Sequence, residues 1–251
     1  MNIVLMANYR PGLETAAFLR EQGETVSRLY VLDTTSEINR RIINASGVET
    51  TRLFSATDLD DPAHMRTLVD ERNDCIITVY WPYLLSKVLL DSVRFTVNFH
   101  PALLPVNAGW YPHVHSLLDG SPCGVTLHAM TEGADVGPIW AQKPVPMTPY
   151  DTAGTLYERL QDEIISLFKE SWRGIASGEI TPREQDLSRR VYHRKSEIEK
   201  LDRIDLDKEY KARDLIRLLR ARTFGSRGFA YYVEGGEIVH VNLQLGPSDT
   251  F

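Results

Sequence analysis

Phe95-Thr96-Val97-Asn98-Phe99-His100-Pro101 opens the stretch on which the fold turns, and Asp135-Val136-Gly137-Pro138 closes it. The apolar lead-in reads as a strand. Side chains alternate along an extended backbone, so Asn98 and His100 are expected on the same side of it. Pro101 then ends the strand and leaves an amide and an imidazole at its carboxyl end. In an open parallel sheet ligands bind at that end, where a later carboxylate, Asp135, can join the other two on one reacting atom.

Outward from this stretch the chain alternates strand and helix. Residues 2–7 read as a buried first strand, and Pro11-Gly12 opens a helix with Leu13, Ala16, Ala17 and Phe18 at helical spacing. Strands follow at 27–32 and 51–54, helices at 36–46 and 64–72, and the continuous apolar run Cys75-Ile76-Ile77-Thr78-Val79 suits a strand buried on both faces. The turn Asn8-Tyr9-Arg10-Pro11-Gly12 lacks the glycines of a dinucleotide fingerprint, which argues against a nicotinamide or flavin cofactor. Further strands are expected at 124–129 and 137–145, then a long helix capped by Asp151, with Leu156, Leu160, Ile164, Leu167, Phe168 and Ile175 as its buried stripe and Gly178 as its stop. The expected fold is therefore α/β, a Rossmann-like, mostly parallel sheet flanked by helices. Character changes at Ile180-Thr181-Pro182. Residues 1–179 are read as the main catalytic domain, and 180–251 as a small α+β appendage with a helix at 213–220 and a hairpin around Gly235-Gly236.

Composition narrows the function classes. The chain has 251 residues, 43% of them hydrophobic, enough for a full core. The apolar amino terminus lacks the basic segment and cleavage site of a signal peptide, and no apolar run reaches membrane-spanning length, so no membrane association is expected. Cys75 and Cys123, the only cysteines, sit in apolar settings that fit buried reduced thiols and a cytoplasmic location. The net charge is −6, and residues 180–251 carry 14 basic against 12 acidic side chains, interleaved rather than gathered on one face. Nucleic acid is not an expected partner of such a surface.

Two aromatic segments flank the site strand. Tyr80-Trp81-Pro82-Tyr83-Leu84-Leu85 can wall a flat heteroaromatic ligand or pack as satellite core. Asn107-Ala108-Gly109-Trp110-Tyr111-Pro112-His113-Val114-His115 reads as a second aromatic loop, and Tyr192-His193-Arg194-Lys195 as a polar patch. Trp110, Tyr111, His113, Tyr192 and Arg194 are candidates for substrate contact, with packing and surface charge as their plain alternatives. The pair His113-x-His115, with His100 and Asp135, invites comparison with a zinc or iron site, but the chemistry below asks for no metal and none is expected.

The motifs together resemble the site of the folate-dependent formyltransferases: Asn98-x-His100-Pro101, Leu103-Leu104-Pro105, Gly124-Val125-Thr126-x-His128 and Asp135-x-Gly137-Pro138-Ile139, in the family's order. The likeness extends more loosely over residues 1–177. The segments 107–113 and 192–195 are similar to enzymes that formylate amino sugars on nucleotides. The resemblance implies N10-formyltetrahydrofolate as donor, its pterin lying against Val79, Tyr80, Trp81, Leu84, Leu85, Thr131, Gly133 and Asp135. It also implies a nucleotide-linked amino-dideoxy sugar as acceptor, a thymidine-diphosphate sugar for surface glycans, and a homodimer. Glycinamide ribonucleotide, methionyl-tRNA or water as acceptor is the rival reading within the family. A non-catalytic nucleotide-binding protein of the same fold is the rival outside it.

The chemistry can be argued from the residues alone. Amine attack on a formamide-like carbonyl develops an oxyanion, and an Asn amide on a rigid strand can donate to it, which makes Asn98 the candidate. The proton lost by the amine needs a base; imidazole, with an unperturbed pKa of ~6.5, suits that task, and His100 is the candidate. Asp135 would orient that ring or relay its proton.

Overall fold

The computed structural model describes residues 1–247; residues 248–251, the end of the expected appendage, lie outside the described residues. In chain order the elements are β1 (Asn2–Ala7), α1 (Tyr9–Glu21), β2 (Thr25–Val31), α2 (Glu37–Ser46), β3 (Leu53–Ser55), α3 (Pro62–Asp70), β4 (Cys75–Val79), α4 (Lys87–Leu90) and β5 (Phe95–His100). After these come β6 (Ala108–Gly109), α5 (Pro112–Asp119), β7 (Gly124–His128), β8 (Ile139–Pro144) and α6 (Ala153–Ser177). The remainder comprises β9 (Tyr192–His193), α7 (Ser196–Glu199), α8 (Ala212–Ala221), β10 (Thr223–Phe224), β11 (Arg227–Gly228), β12 (Tyr231–Glu234) and β13 (Glu237–His240).

Seven strands form one sheet in the order β3-β2-β1-β4-β5-β7-β8. The pairs β2/β3, β1/β2, β1/β4 and β4/β5 are parallel, and β7 runs antiparallel to β5. The expected mostly parallel α/β sheet is thus observed. Its strands are apolar on both faces because helices cover them: every residue of β4 is buried, and Phe99 of β5 meets Phe168 of α6 with ring centroids 4.9 Å apart. Helix ends follow local chemistry. The Ser36 side chain accepts from the Asn39 amide at the start of α2, and Gly47, at φ 68°, stops that helix in the left-handed region. The carboxylate of Asp61 caps α3, with Pro62 in its first turn.

The chain divides into two compact units. The first comprises residues Met1–His100, Thr126–Gln142 and Gln161–Gln185; the second comprises Pro101–Val125, Lys143–Leu160 and the chain from Asp186 onward. Within the second unit β6 pairs with β9 in parallel, β12 and β13 form the expected hairpin, and the Arg220 guanidinium donates to the Asp151 carbonyl at 2.7 Å. Two expectations about local structure need correction. Helix α1 begins at Tyr9, not Pro11, because Tyr9 takes φ 59° and turns the chain directly out of β1. The segment 107–115 is not one loop: Pro112 starts α5, which carries His113 and His115 on a helix.

Candidate active site

The register of three strands lines up the site. Thr78 of β4 pairs with Asn98 of β5, and Asn98 pairs with His128 of β7. Directly opposed residues share a face, so their side chains form a row across the sheet. The Thr78 hydroxyl donates to Asn98 Oδ1 at 2.7 Å, Asn98 Nδ2 lies 2.9 Å from His128 Nε2, and His128 Nδ1 lies 2.8 Å from the Ala129 carbonyl oxygen. A carbonyl only accepts, so Nδ1 of a neutral His128 carries the proton and Nε2 accepts from the Asn98 amide. One amide hydrogen of Asn98 is thereby used, and the second is left to donate elsewhere.

His100 follows two residues after Asn98 on the same face, at the carboxyl end of β5, and is 5% exposed. The two rings, His100 and His128, meet edge to face with centroids 6.3 Å apart. Asp135 Oδ1 lies between them, 3.6 Å from His100 Nδ1 and 3.5 Å from His128 Nε2. The turn carrying Asp135 is built for this approach. Asp135 adopts φ 55°, a left-handed conformation that Asp tolerates better than most side chains. Two residues on, a Cβ at Gly137 would collide with the Ala129 carbonyl, which accounts for the glycine. Gln185 clamps the turn from outside, its amide donating to the carbonyls of Asp135 at 3.0 Å and Gly137 at 2.6 Å. The structure therefore gathers Asn98, His100 and Asp135 in the first unit, with His128 as a fourth member.

Thr78 and Gln185 were missed by sequence reasoning. Thr78 carried a faint signal, as the one hydroxyl in an otherwise apolar strand. Gln185 carried none.

The segments expected to hold a pterin are divided by burial. Val79, Trp81 and Leu85 are buried, and Trp81 and Leu85 pack into a core cluster with Val4, Met6, Tyr30, Leu68, Ile76 and Leu89. Their side chains serve the sheet, which leaves Tyr80, Leu84, Thr131 and Gly133 with solvent-accessible surface. Leu84 and Leu85 border a cavity of about 430 Å³ shared with Ala56, Leu59, Met65 and Tyr83.

The candidate acceptor residues lie in the second unit. Trp110, Tyr111 and Tyr192 are each more than a third exposed, Arg194 is exposed, and Lys195 Nζ stands 5.3 Å from the centre of the Trp110 ring. The pairing of β6 with β9 brings the Trp110 and Tyr192 segments side by side: the Trp110 amide donates to the His193 carbonyl at 3.0 Å, and an added Cβ at Gly109 would strike that same carbonyl. His113 differs from these. It is buried against the Tyr157 ring, 5.0 Å between centroids, and burial lowers its pKa to about 3. His115 stacks face to face on His193 at 3.4 Å, and burial, with His193 adding to it, lowers its pKa to about 4. His115, His193 and Glu197 place one ligand atom each within 4.8 Å of one another.

Residues 29–170 match the model of the formyl transferase family. The chain belongs to that family. Residues 197–247 match a domain described as the N-formyltransferase dimerization C-terminal domain. Among curated proteins, the chain is 32% identical to a dTDP-4-amino-4,6-dideoxyglucose formyltransferase of Mycobacterium tuberculosis over 74% of this chain and 80% of that protein. Among solved structures, a sugar N-formyltransferase from a Shewanella species superposes with a TM-score of 0.80 at 25% identity, covering 99% of each chain. The formyltransferase PseJ from Anoxybacillus kamchatkensis, solved with UDP-4,6-dideoxy-4-formamido-L-AltNAc and tetrahydrofolate, superposes with a TM-score of 0.56 at 28% identity, over 80% of this chain and 89% of that one.

Proposed function

We propose that this formyl transferase moves the formyl group of N10-formyltetrahydrofolate to the amine of a nucleotide-linked amino-dideoxy sugar, with a dTDP-linked 6-deoxyhexose as the acceptor. The observation that carries the reading is the row at the end of β5: an Asn amide with one hydrogen free to donate, a His two residues on, and a carboxylate between two imidazoles. In this scheme the acceptor amine attacks the formyl carbon and Asn98 Nδ2 donates to the oxygen that gains charge. His100 takes the proton from the attacking nitrogen, and Asp135 holds the resulting imidazolium. The tetrahedral centre collapses by breaking its bond to N10 of the folate, which takes the proton from the His100 imidazolium as it leaves, so atoms and charge balance and His100 returns to its neutral form.

Tyr80, Leu84, Thr131 and Gly133 retain exposed surface for the folate. Exposed aromatic and cationic side chains at Trp110, Tyr192, Arg194 and Lys195 provide stacking and phosphate-binding chemistry for the sugar nucleotide. In this scheme residues 1–179 supply the donor site and the chemistry, while 180–251 shape the acceptor side and pair two copies. The dimerization-domain match over 197–247 supports the pairing. No helix among the described residues is long and apolar enough to cross a membrane, and both cysteines are free and buried; we place the enzyme in the cytoplasm, supplying formylated sugars for surface glycans such as O-antigen. Incubation with formyl-folate and a panel of amino-sugar nucleotides, followed by mass analysis of the products, tests the proposal. One added formyl group on a dTDP-amino sugar is the expected product. Formylation of glycinamide ribonucleotide or methionyl-tRNA, with none on any sugar nucleotide, would overturn the acceptor.

A further inference from the structure

Thr78 lies on β4, the central strand of the sheet and the immediate neighbour of β5, fully buried in a strand of Cys, Ile, Ile and Val. A hydroxyl there has to find an acceptor. Two are in reach, Asn98 Oδ1 at 2.7 Å and the Met130 thioether sulfur at 3.2 Å, and the thioether is the weaker acceptor. From this geometry we infer that Thr78 is a positioning residue for the Asn98 amide. The inference rests on the proposed role of Asn98 as donor to the developing oxyanion.

A side-chain amide has two ends of nearly equal shape, and only one of them donates. The orientation of Asn98 is fixed from both sides. The Ala129 carbonyl sets the tautomer of His128, and Nε2 of that ring then calls for an N–H, which draws Nδ2 of Asn98 toward β7. On the other side, the Thr78 hydroxyl calls for an oxygen and draws Oδ1 toward β4. The four groups form one directed chain in which every donor meets an acceptor: Thr78 hydroxyl, Asn98 carboxamide, His128 imidazole, Ala129 carbonyl. A flipped amide would set Oδ1 against the lone pair of His128 Nε2. It would also turn the donating end away from its catalytic position. Removing the Thr78 hydroxyl removes one of the two constraints and leaves Oδ1 buried beside a methyl group.

Thr78→Val keeps the shape and deletes the donor, whereas Thr78→Ser keeps the donor. Loss of one hydrogen bond to a preorganised oxyanion donor should lower kcat about 10–100-fold in Thr78→Val, with the Michaelis constants for both substrates within about twofold of wild type. Thr78→Ser should return kcat to within about threefold. Two measurements do not depend on turnover, and the first needs no variant. In wild-type protein the ring nitrogens of His128, observed by 15N NMR, should show the Nδ1–H tautomer, and the Asn98 carboxamide signals should move in Thr78→Val and not in Thr78→Ser. Wild-type turnover with any formyl-folate acceptor tests the enzymatic reading; these signals test the chain. An Nε2–H tautomer at His128, unmoved Asn98 signals in Thr78→Val, or a Thr78→Val enzyme with wild-type kcat would each overturn the inference.

Discussion

Each compact unit holds a cluster of histidines beside a carboxylate, and the two clusters are put together differently. In the first, His100 and His128 meet edge to face with Asp135 between them, and the amide of Asn98 is held by its neighbours in a single orientation. In the second, His115 lies flat on His193, which bonds to Glu197 and Asn107 on its two nitrogens, while His113 packs against Tyr157. Residue types alone would not separate these clusters. What separates them is placement: the first sits at the carboxyl ends of sheet strands, with a left-handed turn delivering the carboxylate, and the second is built by ring stacking and by the hydrogen bonds of His193, with His113 Nδ1 and His115 Nε2 buried without a hydrogen-bond partner among the described residues.

Apart from the general base His100, the largest expected effect belongs to Asn98. Replacing it with Ala removes the oxyanion donor and should lower kcat by about 10²–10³-fold, with the fold retained by thermal melting. A variant that melts normally and keeps most of its turnover would erase the contrast between the clusters. Next comes Asp135→Asn. An amide cannot support the imidazolium as a carboxylate does, so kcat should fall by about 10–100-fold while the Michaelis constants stay near wild type. A loss confined to folate binding would make Asp135 a pocket residue.

How much of this was legible beforehand depended on the range of the interaction. The strands β1, β4 and β5 and the helix α6 announced themselves through local apolar pattern, and the order of the motifs placed Asn98, His100 and Asp135 together. Thr78 was hidden because its partner Asn98 is 20 residues away and the link depends on strand register, which a one-residue slip would abolish. Gln185 was hidden for the same reason, since it reaches back 50 residues to the Asp135 carbonyl. The start of α5 was misread because aromatic residues and Pro112 look like loop, whereas proline in the first turn is a helix opener.

Smaller effects sharpen the second region. If Trp110 and Arg194 serve the sugar nucleotide, Trp110→Ala and Arg194→Ala should each raise its Michaelis constant about 5–50-fold and leave that for formyl-folate within about twofold, from the energy of one stacked ring or one charge-assisted bond. Equal weakening toward both substrates would point to a general defect. The buried histidines also predict a pH signature. Burial holds the pKa values of His113 and His115 at about 3 and about 4, below the ~6.5 of an unfolded chain. Between those values the unfolded state binds more protons than the native one, so stability falls as pH drops from about 6.5 toward 4. Melting temperatures at pH 7, 5.5 and 4 should decline, and His115→Gln should flatten part of that decline.

The central claim is that chemistry belongs to the first cluster and packing to the second. Single-turnover formyl transfer, measured in parallel for His100→Ala and His115→Gln with wild type as reference, tests it directly. Loss of a general base should slow His100→Ala by about 10²–10⁴-fold, while His115→Gln should react within about threefold of wild type at neutral pH. A well-folded His100→Ala that transfers formyl at nearly the wild-type rate, or a well-folded His115→Gln that does not transfer it, would contradict the account.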